Sequence, residues 1–186
     1  MPALKIDMKP SPLAVVALAA VLASALVGCG SGGPAKDGPL NSGAGGDPSR
    51  GTFCAPGGEL QTFGDEQFTN HGRATVVLDR VVLQRPRNAR LVGSYAVPGV
   101  WLIGTVPWPP RYAGMPATWK DRQPVRGFRV APGKSFNMVL GVAATAPGQA
   151  SARGMLVSYD DAAGSYVTRD DVGMIIAATK TGCLRR

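Results

Sequence analysis

Histidine is nearly missing from this sequence, and its scarcity removes much of the usual chemistry of enzyme sites. His71 is the single histidine in 186 residues. It lies in an Asn-His-Gly segment typical of a turn, so we expect a turn or surface residue rather than a catalytic base. A Ser-His-Asp arrangement stays open, because its members meet in space rather than in sequence. The sequence contains no G-x-S-x-G nucleophile elbow.

Motifs for metal, redox and phosphate chemistry are also absent. The sequence has no C-x-x-C pair, no HExxH motif and no phosphate loop. Asp160-Asp161 and Asp170-Asp171 could offer oxygen ligands to calcium, but neither has the spacing of a calcium loop, which favours solvated turns. Core packing, rather than copper binding, is our interpretation of the methionines that follow the N-terminal segment: Met115, Met138, Met155 and Met174. We therefore predict no metal and no cofactor.

A long apolar run occurs near the N-terminus, but it is too short to span a bilayer. Leu13 to Val27 carries no charge and is about 15 residues long, against roughly 20 for a spanning helix. Lys5 and Lys9 precede it, with Asp7 as the only acidic residue there. This order is typical of a signal peptide.

The run ends in Leu26-Val27-Gly28-Cys29, which resembles the lipobox of bacterial lipoproteins. The resemblance implies that Cys29 receives a diacylglyceryl group and that signal peptidase II cuts between Gly28 and Cys29. Lipid on Cys29 would then hold the mature chain at the extracytoplasmic face of the cell membrane, since two acyl chains suffice for stable attachment. An ordinary secretory signal, with Cys29 beside its cleavage site by chance, is the alternative.

Large apolar residues are also scarce in the segment that follows Cys29. Gly30 to Arg50 is mostly Gly, Ser, Pro, Ala and Asn, with isolated charges at Lys36, Asp37 and Asp47 and Leu40 as the lone large apolar residue. Such a composition does not bury enough apolar surface to offset its ordering entropy. A flexible tether of about 21 residues has an r.m.s. reach of roughly 25 Å. We expect a signal peptide over 1–28, lipidated Cys29 and tether over 29–50, and one ectodomain over 51–186.

Cysteine is too rare for a structural zinc site, which normally uses four ligands. The chain has three cysteines, and lipidation of Cys29 would leave Cys54 and Cys183. In an oxidising compartment these two predict one disulfide that joins the two ends of the ectodomain. The closed loop of about 130 residues corresponds to about 4–5 kcal/mol of stabilisation in the chain-entropy model.

Long helix-period stretches are lacking in 51–186, where short Val-rich runs alternate with Pro-Gly and similar turns. This pattern predicts an all-β fold, a single immunoglobulin-like antiparallel β-sandwich of about 7–9 strands. Asn70–Leu83 followed by Pro132-Gly133 resembles exported immunoglobulin-like sandwiches, and the whole layout resembles uncharacterised actinobacterial β-sandwich lipoproteins. The strands are expected near Glu59–Phe63, Ala74–Leu83, Arg90–Val97, Trp101–Val106, Val125–Val130, Ser135–Ala143, Ala152–Tyr159, Ser165–Thr168 and Gly173–Thr179.

Aromatic residues are few, 6% of the chain, and several gather in a proline-rich stretch between Val106 and Arg126. Proline removes ladder donors, so we expect an irregular loop there. Loops at a sandwich end commonly carry binding function. The alternative is that the rings pack inward over the sandwich. The candidate binding residues are Trp101, Trp108, Tyr112 and Trp119.

Acidic residues are outnumbered by basic ones, 12 against 20, for a formal net charge of +8. A soluble Arg-rich surface is our main interpretation; the alternative is attraction to anionic head groups, anionic envelope polymers or acidic partners. Few aromatic residues interleave with the basic ones, so we predict no nucleic-acid partner. Two basic groups stand out: Arg85, Arg87 and Arg90, and Lys120, Arg122, Arg126 and Arg129.

Together these features predict a non-enzymatic binding or accessory module, anchored to the membrane, with an envelope protein or an anionic envelope polymer as its partner. Two alternatives remain. One is an envelope enzyme whose polar residues converge only in the fold, favoured by a cleft that joins His71 to a carboxylate and a hydroxyl. The other is a structural spacer without a selective ligand.

Overall fold

The structure is a computed structural model that describes residues 38–43, 51–100, 103–111, 117–179 and 181–185. Strands dominate these residues, and 3-10 helices occur at Ala117–Asp121 and Gly182–Arg185. No helix in the described ranges has the length and apolar character needed to cross a membrane. The strands are β1 (Leu40–Ser42), β2 (Thr52–Ala55), β3 (Leu60–Asn70), β4 (Val76–Gln84), β5 (Ala89–Pro98), β6 (Thr105–Pro107), β7 (Gln123–Pro124), β8 (Arg129–Val130), β9 (Ser135–Ala144), β10 (Ala150–Ala152), β11 (Gly154–Asp161), β12 (Gly164–Asp170) and β13 (Gly173–Ile176).

The largest sheet has six strands, all paired antiparallel. Its order is β1-β3-β9-β5-β7, and β6 also pairs with β3. Because β1 pairs with the last residues of β3 and β6 with the first ones, both short strands lie along the same edge of β3. The long strands β3, β9 and β5 form the middle of this sheet.

A four-stranded antiparallel sheet, β12-β11-β4-β8, supplies the second layer. A smaller sheet, β10-β13-β2, contains one parallel pair, β13 with β2. Since β2 is near the start of the described domain and β13 near its end, this pair brings the two chain ends together.

The core lies between the layers and follows the two-residue period of strands. Along β9, Phe136, Met138 and Leu140 point into it and are fully buried. Leu78 and Tyr159 meet them from the four-stranded sheet. The alternate residues of β9 face the other side of the six-stranded sheet, where Val139 is also fully buried.

These layers confirm the predicted all-β, immunoglobulin-like sandwich, and its two large sheets are antiparallel. The parallel pair of β13 with β2 was not predicted, and the thirteen strands of the described residues exceed the predicted count of about 7–9. Eight strands have four or more residues, and the other five of the described part are shorter. The expected strand over Val125–Val130 is wrong for its first half, because Gly127 adopts a positive φ of 84° in a turn and only Arg129–Val130 pairs. The expected strand to Thr179 ends at Ile176.

The segment predicted as a tether contains a strand. β1 lies inside 29–50, pairs with β3, and buries Leu40 to 1% exposure. The prediction of a flexible tether is therefore wrong at these three residues, where an edge of β3 offers backbone partners that composition alone does not reveal. The signal peptide, Gly28 and Cys29 lie outside the described residues.

Cys54 and Cys183 form the predicted disulfide, with a Cα–Cα distance of 5.7 Å. Cys54 is on β2, and Cys183 is in the 3-10 helix that follows β13. The bond closes a sequence separation of 129 residues. It links the N-terminal and C-terminal parts of the domain, which the parallel pairing of β2 with β13 also holds together.

Candidate functional site

Trp108, one of the candidate binding residues, covers the outer face of the six-stranded sheet. Its ring stacks on Tyr95 with a centroid distance of 5.6 Å. Gly93 and Gly141, on the neighbouring strands β5 and β9, leave room beneath the ring. A Cβ atom at Gly93 would lie 2.6 Å from the indole, and one at Gly141 would overlap it. The ring therefore packs inward and is partly buried.

Trp119 belongs to the same cluster. It meets Tyr95 edge-on with a centroid distance of 5.7 Å. The guanidinium of Arg122 lies 4.8 Å from the Trp119 ring and 5.6 Å from the Tyr95 ring, a cation–π arrangement. Trp101 and Tyr112 lie outside the described residues, so a binding role for the four aromatic residues stays a prediction.

His71 lies in the turn after β3, as expected, and is exposed. Its neighbour Asn70 builds that turn: the buried Asn70 amide donates to the carbonyls of Ala74 and Val130, each at 2.9 Å, and Asn70 Oδ1 accepts from Gly72 N. The Asn70 side chain is therefore fully engaged in hydrogen bonds to backbone groups in and beside this turn.

The acidic pairs also serve local backbone. Asp161 Oδ1 accepts from Ala163 N and Gly164 N in the hairpin between β11 and β12. Asp170 Oδ1 accepts from Val172 N. Burial of Tyr166, and next the nearby Asp161 carboxylate, raises the pKa of the Tyr166 phenol above its ordinary value. Among the described residues, no group of three or more His, Cys, Asp or Glu side chains could hold a metal ion.

A cleft of about 690 Å³ opens where β2, β10 and β13 meet the ends of β4 and β12. Four arginines from three separate segments of the chain line it, together with one carboxylate, Asp171. We call it the arginine cleft. Its lining is Gly51, Thr52, Arg85, Arg87, Ser151, Ala152, Arg153, Arg169, Asp171, Gly173 and Ile175.

The first wall of the arginine cleft is the short connection from β4 to β5. Arg85 and Asn88 have positive φ angles of 45° and 50°, in the left-handed region that is uncommon for residues other than glycine. Arg87 is held between them by two backbone hydrogen bonds to Ser151, at 2.8 and 2.9 Å. The tight turn therefore fixes the backbone from which Arg85 and Arg87 project.

The second wall comes from the strands that pair with β4. Gly154 pairs with Gln84, and Arg153 N donates to the Gln84 carbonyl at 2.8 Å, which places Arg153 beside Arg85. Arg169 is oriented by Asp171, with 2.5 Å between Arg169 Nε and Asp171 Oδ1. One orientation of the Gln84 side-chain amide satisfies both of its polar atoms. In it, the amide nitrogen donates to Asp171 Oδ1 at 3.0 Å and the amide oxygen accepts from Arg169 Nε at 2.8 Å.

The balance of charge in the arginine cleft is strongly positive. Four guanidinium groups face one carboxylate, and that carboxylate is engaged with Arg169. Within the part of the chain that the structure describes, Arg85, Arg87 and Arg153 have no ion pair. Guanidinium groups present planar forks of donors that match phosphate and carboxylate groups, so the cleft can bind anions.

Sequence reasoning found only half of this site. It grouped Arg85 and Arg87 with Arg90, but Arg153 and Arg169 join them through strand pairing rather than through sequence proximity. The second basic group lies elsewhere: Arg126 pairs with Asp79 at 3.6 Å, and Arg122 covers aromatic rings. No local pattern marks Arg153 or Arg169, so a register for β4, β11 and β12 would have been required.

No protein-family model matches the chain, and no curated protein matches it. Among solved structures, it is similar to the VesB protease of Vibrio cholerae at 11% identity and a TM-score of 0.38, covering 75% of this chain and 32% of that one. It is also similar to PapD-like domain 7 of human CEP192, at 10% identity and a TM-score of 0.38, covering 80% and 92%. A third similarity is to the Vibrio cholerae secreted serine protease VesC, at 12% identity and a TM-score of 0.31, covering 69% and 21%. The chain thus spans about a third or less of the two protease chains, and similarities at this level carry no argument about activity.

Proposed function

We propose that this chain is a lipid-anchored, non-enzymatic binding module on the extracytoplasmic face of the cell membrane, and that it holds an anionic envelope polymer in the arginine cleft. The observation that carries the proposal is the convergence of four arginines from three separate segments on one cleft with a single carboxylate. The anchoring half rests on Leu26-Val27-Gly28-Cys29 and the apolar run before it.

The form of the arginine cleft favours a polymer. Its lining is open, and it extends from the β4–β5 turn to β12, so successive anionic groups can meet successive guanidinium groups. Each such contact at a partly exposed site is weak and screened by salt, but several in a row add up. A second cleft, of about 480 Å³, is lined mainly by Ala, Gly and Pro with Glu59 as its single ionisable group, and suits an anion poorly.

The binding half is tested with the mature chain carrying Cys29→Ser, so that it stays in solution. Inorganic polyphosphate and polyglutamate serve as phosphate and carboxylate probes, titrated against the protein by calorimetry. The double variant Arg87→Gln/Arg153→Gln removes two cleft charges and should weaken binding by at least about tenfold. Either probe that responds in this way identifies its anionic group as a ligand chemistry of the cleft.

The matched control is Arg122→Gln/Arg126→Gln, which removes the same charge outside the cleft. It should change affinity by less than about threefold, because it lowers the positive electrostatic potential of the whole surface without removing a group from the arginine cleft. Equal losses in the two double variants would show diffuse attraction to a basic surface and would overturn the arginine cleft as the site.

The anchoring half is tested in intact bacterial cells that produce the precursor. Metabolic labelling with a clickable fatty acid should mark the wild-type chain and leave Cys29→Ser unlabelled, and detergent phase partitioning should move only the wild type into the detergent phase. A labelled Cys29→Ser chain, or an unlabelled wild type that is exported, would contradict the lipid anchor.

A further inference from the structure

Arg169 differs from the other three arginines of the arginine cleft because two neighbouring side chains hold it. Asp171 Oδ1 lies 2.5 Å from Arg169 Nε. In the amide orientation that satisfies both polar atoms of Gln84, the amide oxygen accepts from Arg169 Nε at 2.8 Å and from Nη2 at 3.2 Å. The other three arginines have no side-chain hydrogen bond or ion pair over the described ranges of the chain. One guanidinium of the cleft is therefore fixed before any ligand arrives.

The backbone beneath this pair of side chains is also held in place. Arg169 pairs with Leu156 at the end of β12. The next residue, Asp170, is fully buried, and its Oδ1 accepts from Val172 N at 2.9 Å. Gly154 approaches so closely that a Cβ atom there would overlap the Asp170 carbonyl oxygen. The positions of Arg169 and of the carboxylate two residues later are thus set by packing and by a turn.

The contacts to Arg169 use one part of its guanidinium and leave another part free. A guanidinium presents one pair of parallel donors at its side, Nε with Nη2, and one at its end, Nη1 with Nη2. Asp171 and Gln84 occupy the side pair. Among the described residues, Arg169 Nη1 has no hydrogen-bond partner. The end pair can therefore bind two oxygens of one phosphate or carboxylate group.

Stability does not account for this arrangement. The Arg169 side chain is half exposed, and an ion pair at such a site adds little to the free energy of unfolding. Asp171 is also a negative charge in a cleft that is otherwise basic, so by Coulomb attraction alone it would oppose an anionic ligand. Its contact with Arg169 has the opposite effect on a ligand, because a side chain ordered in advance loses less entropy on binding.

We propose that Arg169 is the contact that fixes an anionic group of the ligand, through two oxygens of one phosphate or carboxylate, and that Asp171 and Gln84 are its positioning residues. This inference rests on the proposed function and assigns different roles within the same cleft. The three other arginines attract the ligand by charge, and Arg169 determines how one of its groups is oriented.

Replacement of Asp171 separates positioning from charge, because the two predict changes of opposite sign. The soluble mature chain with Cys29→Ser is titrated with polyphosphate and with polyglutamate by calorimetry. Asp171→Ala removes a negative charge, so charge alone predicts tighter binding, whereas loss of positioning should weaken it by about three- to tenfold. Asp171→Asn is equally uncharged but keeps the acceptor, and should bind at least about threefold more tightly than Asp171→Ala. Equal affinities of the two variants, or an Ala variant tighter than wild type, would overturn the proposal.

Charge-conserving variants test the paired donors. Arg169→Lys keeps the charge and loses the planar fork, so affinity should fall by at least about fivefold, against about twofold for Arg153→Lys. Gln84→Met leaves the charge unchanged and should weaken binding by about threefold. Arg126→Lys lies outside the cleft and is the matched control, with a change below about twofold. Equal losses for the lysine variants at 169 and 153 would contradict a special role for Arg169.

Nuclear magnetic resonance of the arginine Nε–H groups tests the positioning without a ligand. The hydrogen-bonded Arg169 Nε–H should exchange more slowly with water than those of Arg85, Arg87 and Arg153, and Asp171→Ala should remove this protection. Equal exchange in all four would show that Arg169 is not held. Failure of the wild type to bind either probe would refute the proposed function and the ligand contact together. Binding that falls in Arg87→Gln/Arg153→Gln but not in Asp171→Ala would overturn this inference alone.

Discussion

The two ends of the four-stranded sheet use their polar side chains differently, although both contain side chains that bond to backbone. We call the end with the His71–Ala74 turn and the Asp161–Gly164 hairpin the anchor end, and the end with the arginine cleft the cleft end. At the anchor end, Asn70 and Asp161 bond to the backbone of their own turns. At the cleft end, Arg85, Arg87 and Arg153 project into a cleft whose single carboxylate already holds Arg169. The first arrangement stabilises the fold, and the second leaves charge available to a ligand.

The comparison teaches where stability and function can be separated in this molecule. A buried donor that loses its partner costs about 1–3 kcal/mol, so replacement of the fully buried Asn70 should weaken the fold. An exposed guanidinium contributes little to stability, within about ±0.5 kcal/mol when replaced. The cleft end is instead kept in shape by backbone pairing and by the Cys54–Cys183 disulfide.

The largest expected effect is loss of that disulfide. Cys54→Ser/Cys183→Ser should lower the free energy of unfolding by up to about 4–5 kcal/mol, because the closed loop is long. It should also weaken anion binding, since β2 supplies Thr52 to the arginine cleft. Denaturant titration of the oxidised and reduced wild type gives an independent value. An unchanged midpoint in both would show that the chain ends are held without the bond.

A smaller effect contrasts two asparagines, one from each end. Asn70→Ala removes three hydrogen bonds at a fully buried site and should cost about 2–3 kcal/mol. Asn88→Gly keeps the left-handed backbone and removes exposed bonds to Ala146 and Gln149. Its cost should be about 1 kcal/mol or less. Equal shifts of the urea unfolding midpoint for Asn70→Ala and Asn88→Gly would contradict the expected difference in stability between the two ends.

The smallest effect is a pH dependence at the anchor end. Burial of Tyr166, and next the Asp161 charge, raises the pKa of the phenol above the ordinary value of 10.0. Because the folded chain disfavours the phenolate, its contribution to stability is complete below about pH 10 and is lost as the pH rises through the folded-state pKa. Tyr166→Phe should flatten the stability curve in that alkaline range. Unfolding titrations across it provide the measurement.

Sequence patterns predicted the strands that have a clear two-residue period and the disulfide, for which only one pairing was open. Strand period and turn residues located β4, β5, β9, β11 and β12 approximately, and two remaining cysteines had one intramolecular pairing. Leu40 was missed because a three-residue strand has no period of its own; its place depends on the edge of β3. Arg153 and Arg169 were missed because their neighbours come from the register of β4, β11 and β12.

The aromatic candidates show the same limit. Trp108 and Trp119 stood out as candidate binding residues in a proline-rich loop, with inward packing as the alternative. The position of the Trp108 ring depends on Gly93 and Gly141, which lie on two central strands. In the sequence, those glycines lie inside the expected strands Arg90–Val97 and Ser135–Ala143, with nothing to indicate their role. In the fold, their missing side chains leave space on the sheet surface, and the indole of Trp108 packs there. A residue's environment across a sheet is not encoded next to it in the chain.

The docking of β1 also has a mechanical consequence. Tension between a membrane anchor and a polymer held at the far end would run along the strands, so the three β1–β3 residue pairs would be loaded together in shear. With three residue pairs, this ladder is shorter than the β3–β9 and β5–β9 ladders, so we expect it to separate first. Its release would free the six described residues from Gly38 to Gly43, with about 20 Å of contour. Under load, β1 would detach from β3 and lengthen the connection to the anchor before the sandwich unfolds.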